Sequence, residues 1–242
     1  MAQSVGNARN ILVGASPLFL STIDVNDADY IENAEAGVLV AAAPNAINPA
    51  KQTVGVPAFA AGVSYANTLN AVDQVAGKFG YRNVGFTNNG LQITYNPTFD
   101  SVTVDQLLDT AKLFKSAMEV MIATEMSEGT LENIATVFGQ PSSTLSTNGT
   151  GTGRTDTLGL EAGALGAAPT ERQLIAVGLA PTASSTASER VYYARRVLSV
   201  QQSQFSLART TPTTFPVTFR LLPDASYAGS EYGKIIDRVL VA

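Results

Sequence analysis

The sequence contains no cysteine, no histidine and no tryptophan, and only 14% of its residues are charged, against roughly 25% in an ordinary soluble domain. Each absence excludes a chemistry. Without cysteine no disulfide framework forms, and without cysteine or histidine there is no zinc site built on thiolate or imidazole. Nucleophilic or base catalysis by these residues is excluded, and so is haem ligation through them. An active site would have to rest on carboxylates, lysine, serine or tyrosine. Long hydrophobic runs are also missing. The most apolar stretch, Gly37 to Ala43, falls far short of the ~20 residues a helix needs to span a bilayer. Met1 to Arg9 show no apolar segment behind a basic one, so no secretory signal is expected. The chain is expected to be made in the cytoplasm, to stay soluble and to have no membrane partner.

What is present is 242 residues of which 45% are hydrophobic, enough for a sizeable core in one large domain or two small ones. All-β domains often reach this length. The net charge is −5. An acidic chain is a poor grip for phosphate backbones, whose affinity comes from neutralisation by Lys and Arg. The charge is uneven: residues 1–171 carry a net −9 and residues 172–242 a net +4. Either these are solvated faces, or opposite signs on two parts of the chain meet in neighbouring copies.

Along the chain, Ile11 to Val13 and Leu18 to Leu20 read as short strands divided by Gly14 and Pro17. An acidic stretch follows, with Asp24, Asp27, Asp29, Glu32 and Glu35. Val38 to Ala43 is a buried strand or a loop edge. Leu69, Val72, Ala76 and Phe79 fall on one face of a helix over residues 64–79. Thr87-Asn88-Asn89-Gly90 is a turn signal. Leu91 to Tyr95 alternates as a half-buried strand, Asn96-Pro97 interrupts it, and Ser101 to Asp105 alternates again. A β-hairpin or meander is expected here. Residues 105–126 are ambiguous. Leu107, Ala111, Phe114 and Met118 fit a helical stripe, yet from Ser116 a strand fits as well, with Met118, Val120, Ile122, Thr124 and Met126 on one face.

The clearest helix comes next. Ser127 is placed to cap it, and Glu128 sits in its first turn, where the helix dipole favours negative charge. Leu131, Ile134, Ala135 and Phe138 form an apolar face suited to packing on a sheet. Gly139 and Pro141 end it. Residues 141–169 are rich in Ser, Thr, Gly and Ala, as in a long loop or an extension that orders against a neighbour. Strands return over Gln173–Leu179, Arg190–Val200, Val217–Leu222 and Ile235–Val241.

No motif carries a clear chemistry. Gly149 to Gly153 neither follows a clear strand nor precedes Lys-Ser or Lys-Thr, so it meets neither the P-loop nor the dinucleotide fingerprint. Gly229 to Lys234 fails the P-loop spacing too. The acidic stretch lacks the EF-hand pattern. Asp100, Asp105 and Asp109 have nothing to place them in a pocket. Arg195 and Arg196, beside Tyr192 and Tyr193, are the one basic–aromatic cluster. It suits either nucleic-acid stacking or, more simply, an intersubunit salt bridge or solvated strand face. No cofactor, no metal and no catalytic residue is expected.

The order of features from Val84 to Gly139 resembles the tail tube (major tail) proteins of long-tailed bacteriophages. The residues that carry it are Thr87 to Pro97, Val102-Thr103-Val104-Asp105-Gln106, and Met118 to Ile134 running on to Phe138-Gly139. Arg190 to Leu198, Phe215 to Asp224 and Gly233 to Asp237 also fit. The resemblance covers about two-thirds of the chain. Residues 1–80 match poorly, and 141–169 looks like a lineage-specific loop.

It implies a mainly β fold, a β-sandwich or open barrel of two antiparallel sheets with one short flanking α-helix. A single domain would span 1–242, with 1–60 as an N-terminal arm and extended loops. Six copies would form a ring, and stacked rings a hollow virion tail, assembled in the host cytoplasm, through which DNA passes without specific binding. Its implied partners are further copies of itself, a tape measure protein, a tail terminator and baseplate or distal tail proteins. It also favours the strand from about Ser116. An acidic wall would keep DNA from sticking, so Glu119, Glu125, Asp24, Asp27 and Asp29 are expected to face the lumen, and Arg195 and Arg196 a neighbouring subunit. Competing readings are an adhesive or carbohydrate-binding β-sandwich module, a carboxylate-based glycosidase, and the inner tube of a contractile injection apparatus.

Overall fold

The computed structural model describes residues 16–21, 62–73, 81–103, 109–181, 188–200, 204–205, 212–225 and 227–240. Ile11 to Val13, the acids Asp24, Asp27, Asp29, Glu32 and Glu35, and the run Val38 to Ala43 lie outside the described residues. The elements in chain order are β1 (Leu18–Ser21), α1 (Tyr65–Asp73), β2 (Tyr81–Asn83), β3 (Thr87–Thr103), β4 (Thr110–Met126), α2 (Leu131–Val137), β5 (Leu145–Asn148), β6 (Thr155–Leu158), β7 (Arg172–Leu179), β8 (Ser188–Ser199), β9 (Phe215–Leu221) and β10 (Gly233–Val239). The fold is mainly β and its strand pairings are antiparallel.

Eight strands form one sheet in the order β2-β1-β7-β8-β9-β4-β3, with β10 also on β8. Strand β8 is the branch point. Its residues Ser188 to Ala194 pair with β10, whereas Val197 to Ser199 pair with β9. The sheet therefore divides into two layers that share β8. Leu18, Leu20, Leu174 and Ala176 of the first layer pack against Val120, Ile122, Val217, Phe219 and Leu221 of the second. This is a β-sandwich with its core between the layers. Period-two alternation built it: Val217, Phe219 and Leu221 are buried while Thr218 and Arg220 turn outward.

The far face of the first layer is covered by α1. Tyr65 and Leu69 pack on Phe19, Ile175, Val177, Val191 and Tyr193. A nine-residue helix is marginal alone, so α1 depends on this burial, worth roughly 1.5–3 kcal/mol per large apolar side chain. The described residues thus carry two helices where the resemblance implied one. Leu69 of the 64–79 stripe is buried, and Val72, Ala76 and Phe79 lie outside the described side chains.

Helix α2 starts one turn later than expected. Its N-cap is Thr130, whose hydroxyl accepts from the Asn133 N–H at 3.2 Å. Ser127 instead donates its backbone N–H to the Phe86 carbonyl, and Glu128 accepts from the Phe86 N–H at 3.0 Å. The buried side chains are Asn133, Ala135, Thr136 and Val137. Ile134 packs on the core edge, Leu131 is half-buried, and Phe138 lies past the helix, 40% exposed and stacked on Phe205. The expected face of Leu131, Ile134, Ala135 and Phe138 is therefore rotated toward Asn133. That residue donates to the carbonyls of Val84 and Glu128, both at 2.9 Å, and accepts from Arg82 at 2.5 Å. Hydrogen bonding, which periodicity does not register, set the rotation. Gly139, at φ 65°, ends α2 as read from the sequence. Replacing Thr130 by Ala should cost about 1 kcal/mol in chemical denaturation, with Ser restoring most of it. No loss would show that the cap is redundant.

Residues 141–169 are not one featureless loop. They hold two short 3-10 turns and the ribbon β5–β6, which packs beside α2. From Gly159 to Pro169 no helix or strand forms.

Candidate assembly surface

Strands β3 and β4 are 17 residues each, about 55 Å at ~3.3 Å per residue. The helical stripe from Leu107 through Met118 is overturned: the described part belongs to β4, and the alternation beginning near Ser116 is the one that folds. The Thr87-Asn88-Asn89-Gly90 signal is not a hairpin turn. Asn89 and Gly90 have positive φ inside β3, at a register shift between the pairs Asn88/Glu125 and Gln92/Ala123. The left-handed residues accommodate extra chain within a continuing strand. Asn96-Pro97 does not break the strand either. β3 is an edge, and a proline on an edge costs no ladder hydrogen bond.

Strand β9 pairs with β4 only over Met121 to Met126. Beyond that β3 and β4 stand as a two-stranded arm. Its large apolar side chains are open, with Tyr95 61%, Phe99 57% and Leu113 64% exposed. Phe99 pairs across with Lys115, Asp100 with Phe114, Ser101 with Leu113 and Val102 with Lys112. Because side chains alternate, Phe99 and Leu113 share one face while Val102 and Phe114 take the other. Each face thus carries large apolar groups beside charge, Lys115 on the first and Asp100 and Lys112 on the second, and all are exposed. Large exposed apolar side chains gathered on one element point to an interaction site, and an isolated two-stranded ribbon is only marginally stable.

At the base of the arm the layer has a distinct outer face. Val120, Ile122, Thr124 and Met126 are buried, so Glu119, Met121, Ala123 and Glu125 point away from the core. They are flanked by Asn88, Gln92, Thr94 and Asn96 of β3 and by Pro216, Thr218 and Arg220 of β9. None of these is buried. This outer wall is made of amides, hydroxyls and small apolar groups, with two carboxylates and one guanidinium. Glu119 lies 3.7 Å from Arg220, and Glu125 accepts from Asn88 at 3.1 Å.

The arginine pair is engaged within the chain. Residues Arg195 and Arg196 sit where β8 carries one residue more than β7, between the pairs Arg172/Val197 and Leu174/Ala194. Such a bulge re-aims side chains. Arg195 is 0% exposed. Its guanidinium lies 3.5 Å over the Tyr227 ring and donates to the Ser230 carbonyl at 3.0 Å. Arg196 forms a two-pronged bond to the buried Glu171, at 2.5 and 3.0 Å. Both are used within their own chain, Arg195 fully buried, so neither is an uncommitted cation in the single chain. The same is true of Arg172, which donates to the Ser21 carbonyl, and of Arg190, paired to Asp237. Arg190 holds the Asp237 carboxyl below its usual pKa through that hydrogen bond. Much of the positive balance of residues 172–242 is therefore internal stapling and not a free basic patch.

Between the arm and β10 the sandwich gapes. A cleft of about 380 Å³ is lined by Ile93, Tyr95 and Met118 from the arm and by Tyr192, Leu221 and Ile235 from behind and across it, with the 229–234 loop at one side. Strand β10 is brought close to β8 by Gly233, where a side-chain carbon would fall 1.9 Å from the Tyr193 carbonyl oxygen. Backbone N–H groups, first that of Gly229, and nearby Lys115 hold the Glu231 carboxyl below its usual pKa.

Sequence reasoning missed the arm and the cleft. The available signal was the cluster of Tyr95, Phe99, Val102, Leu113 and Phe114 on strands that alternate. Among the described residues no group of three or more metal-ligating side chains comes together, and no helix is long and apolar enough to cross a membrane. No protein-family model and no curated protein matches the sequence.

Proposed function

We propose that this chain is a structural subunit that assembles with copies of itself, as the tail tube proteins of long-tailed phages do, into hexameric rings stacked as a hollow conduit for DNA. The observation that carries the reading is the β3–β4 arm, which presents large apolar groups on both faces and a free edge. Such a surface is an aggregation hazard on a monomer and an asset on a subunit that is always covered. The low charge fraction agrees, since charged residues are depleted at interface cores.

The outer wall at the arm's base supplies the second half of the reading. A DNA conduit needs a surface that does not hold phosphates. The wall has no lysine, its arginine is near Glu119, and its carboxylates leave it slightly negative. Glu119 and Glu125 are accordingly assigned to the lumen. Tape measure, terminator and distal tail proteins are partners on the same reading, and the virion tail is its location. An inner tube of a contractile apparatus would use the same surfaces. A carbohydrate-binding or adhesive module is the second reading, favoured by the tyrosines lining the cleft, and a measured glycan affinity would move weight to it.

Negative-stain electron microscopy of the purified protein tests the proposal. Six-fold rings or hollow polymers are expected. A chain that stays monomeric at high concentration, with initiator proteins supplied, would count against it. In a reconstruction, Glu119 and Glu125 buried between subunits or on the exterior would overturn the wall assignment.

A further inference from the structure

We propose that Asn148, at the tip of the β5–β6 ribbon, is a site of spontaneous covalent modification, its side-chain amide converting to a carboxylate by cyclisation onto the next residue. The backbone nitrogen of Gly149 loses its proton to solvent base and attacks the side-chain carbonyl carbon of Asn148. The C–N bond of the side-chain amide breaks, and ammonia leaves after taking a proton from water. The product is a five-membered imide that includes the Gly149 nitrogen. Water then opens it at either carbonyl. One opening gives aspartate at 148. The other gives isoaspartate, in which the main chain runs through the side-chain carbons and is longer by one methylene. Glycine in the following position favours the reaction, because no Cβ hinders the approach of its nitrogen.

The sequence holds two Asn-Gly steps, Asn89-Gly90 and Asn148-Gly149, and the fold treats them oppositely. Cyclisation requires the peptide plane after the asparagine to turn until its nitrogen faces the side-chain carbon. At Asn148 little opposes that turn. Asn148 is half of the last rung of the ribbon, opposite Thr155, and residues 146–157 are all exposed. A ribbon of four residues per strand is marginal alone and opens first at its end. Beyond it Gly149 and Gly151 have φ of 82° and 63°. The turn is held by the Arg154 N–H on the Gly151 carbonyl at 3.2 Å, a bond that does not involve the 148–149 peptide.

At Asn89 the same rotation is opposed from both sides. Asn88 is paired with Glu125, and its side-chain amide donates to that carboxylate at 3.1 Å. The Gly90 carbonyl accepts from the Thr124 hydroxyl at 2.8 Å. Leu91 packs on the core, and Gln92 resumes the ladder with Ala123. Turning the 89–90 peptide therefore means lifting part of β3 off β4. Exposure does not separate the two sites, since Asn89 is exposed as well; restraint of the backbone does. Each event at 148 adds one negative charge to a chain of net −5. The new charge lies one rung from Asp156, which accepts from Thr147 at 2.7 Å and pairs with Arg154 at 2.9 Å. The isoaspartate form also moves the last rung of the ribbon out of register. The tip thus undergoes a slow, one-way change of charge and shape that needs only water.

Peptide mapping by mass spectrometry after prolonged warm incubation of the full chain tests this, with isoaspartyl methyltransferase labelling to count isoaspartate. Acid at 148 is expected to exceed acid at 89 by roughly ten-fold or more, because the second site must first open locally. The yield at 148 should rise from acidic to mildly alkaline pH, since the attacking nitrogen must be deprotonated. In concentrated urea both sites lose their restraint and share the same dipeptide, so the ratio should fall toward unity. Asn148→Gln, which would have to close a larger ring, should remove the label at that position and leave the circular dichroism of the fold unchanged. Folded protein in which Asn89 reacts as fast as Asn148, or in which 148 stays an amide, overturns the proposal. A ratio that persists in urea would assign the difference to neighbouring residues and overturn its structural basis.

Discussion

Replacing Glu189 by Gln should lower the unfolding free energy by about 3–5 kcal/mol, because it leaves the Arg238 guanidinium buried against a neutral amide. Glu189 is 6% and Arg238 12% exposed at the side chain, and they lie 2.9 Å apart. The carboxylate has further work. It accepts from the Ser64 hydroxyl at 2.9 Å and from the Tyr65 N–H at 2.9 and 3.0 Å. One side chain of β8 thus anchors the start of α1 and neutralises a cation on β10. The expected loss is a large part of the 5–15 kcal/mol that stabilises a typical domain. Urea titration measures it. The double variant Glu189→Gln with Arg238→Met should recover part of the loss, since it removes the stranded charge. A drop under 1 kcal/mol in the single variant would mean that water reaches the pair, and the anchoring role would fall.

That cluster shows where sequence reading stops. Glu189 and Arg238 are 49 positions apart, and nothing in either neighbourhood announces a partner. By contrast β9 was legible, because Val217, Phe219 and Leu221 alternate with outward residues in a strand buried on one face. From Ser116 onward β4 alternates too, but a helical stripe fitted there as well, and it was the resemblance that favoured the strand. Its N-terminal half was not legible: Ala111 to Ala117 are exposed, so burial imposed no pattern, and a chance helical spacing through Phe114 and Met118 competed with it. The breaks read at Asn89-Gly90 and at Pro97 are correct statements of local geometry. They misled because an edge strand tolerates a bulge and a missing donor that a central strand does not. The internal bonds of the arginine pair were hidden for a third reason. A bulge in β8 and a buried carboxylate, Glu171, make Arg195 and Arg196 internal, and charge along a sequence does not show which charges are already matched.

Removing Phe99 to Ser116 and joining Thr98 to Ala117 through an Asn-Gly turn should abolish assembly and leave the fold intact. Thr98 and Ala117 are a cross-strand pair, and a two-residue turn of this composition matches the twist of the strands it links. The core loses nothing by the change. The contributions of β3 and β4 to it, Leu91, Met118, Val120, Ile122 and Met126, all lie below the cut. Stability should therefore change by no more than about 1 kcal/mol, and circular dichroism should keep its β signature. Solubility should rise, because Phe99, Val102, Leu113 and Phe114 leave with the arm and the exposed edge shortens. Sedimentation velocity separates the outcomes. A folded monomer at concentrations where the parent chain polymerises assigns the interface to the arm. Polymers that form as readily as before would show that the apolar ribbon is not what joins the copies, and an unfolded product would show that it is part of the fold rather than an arm upon it.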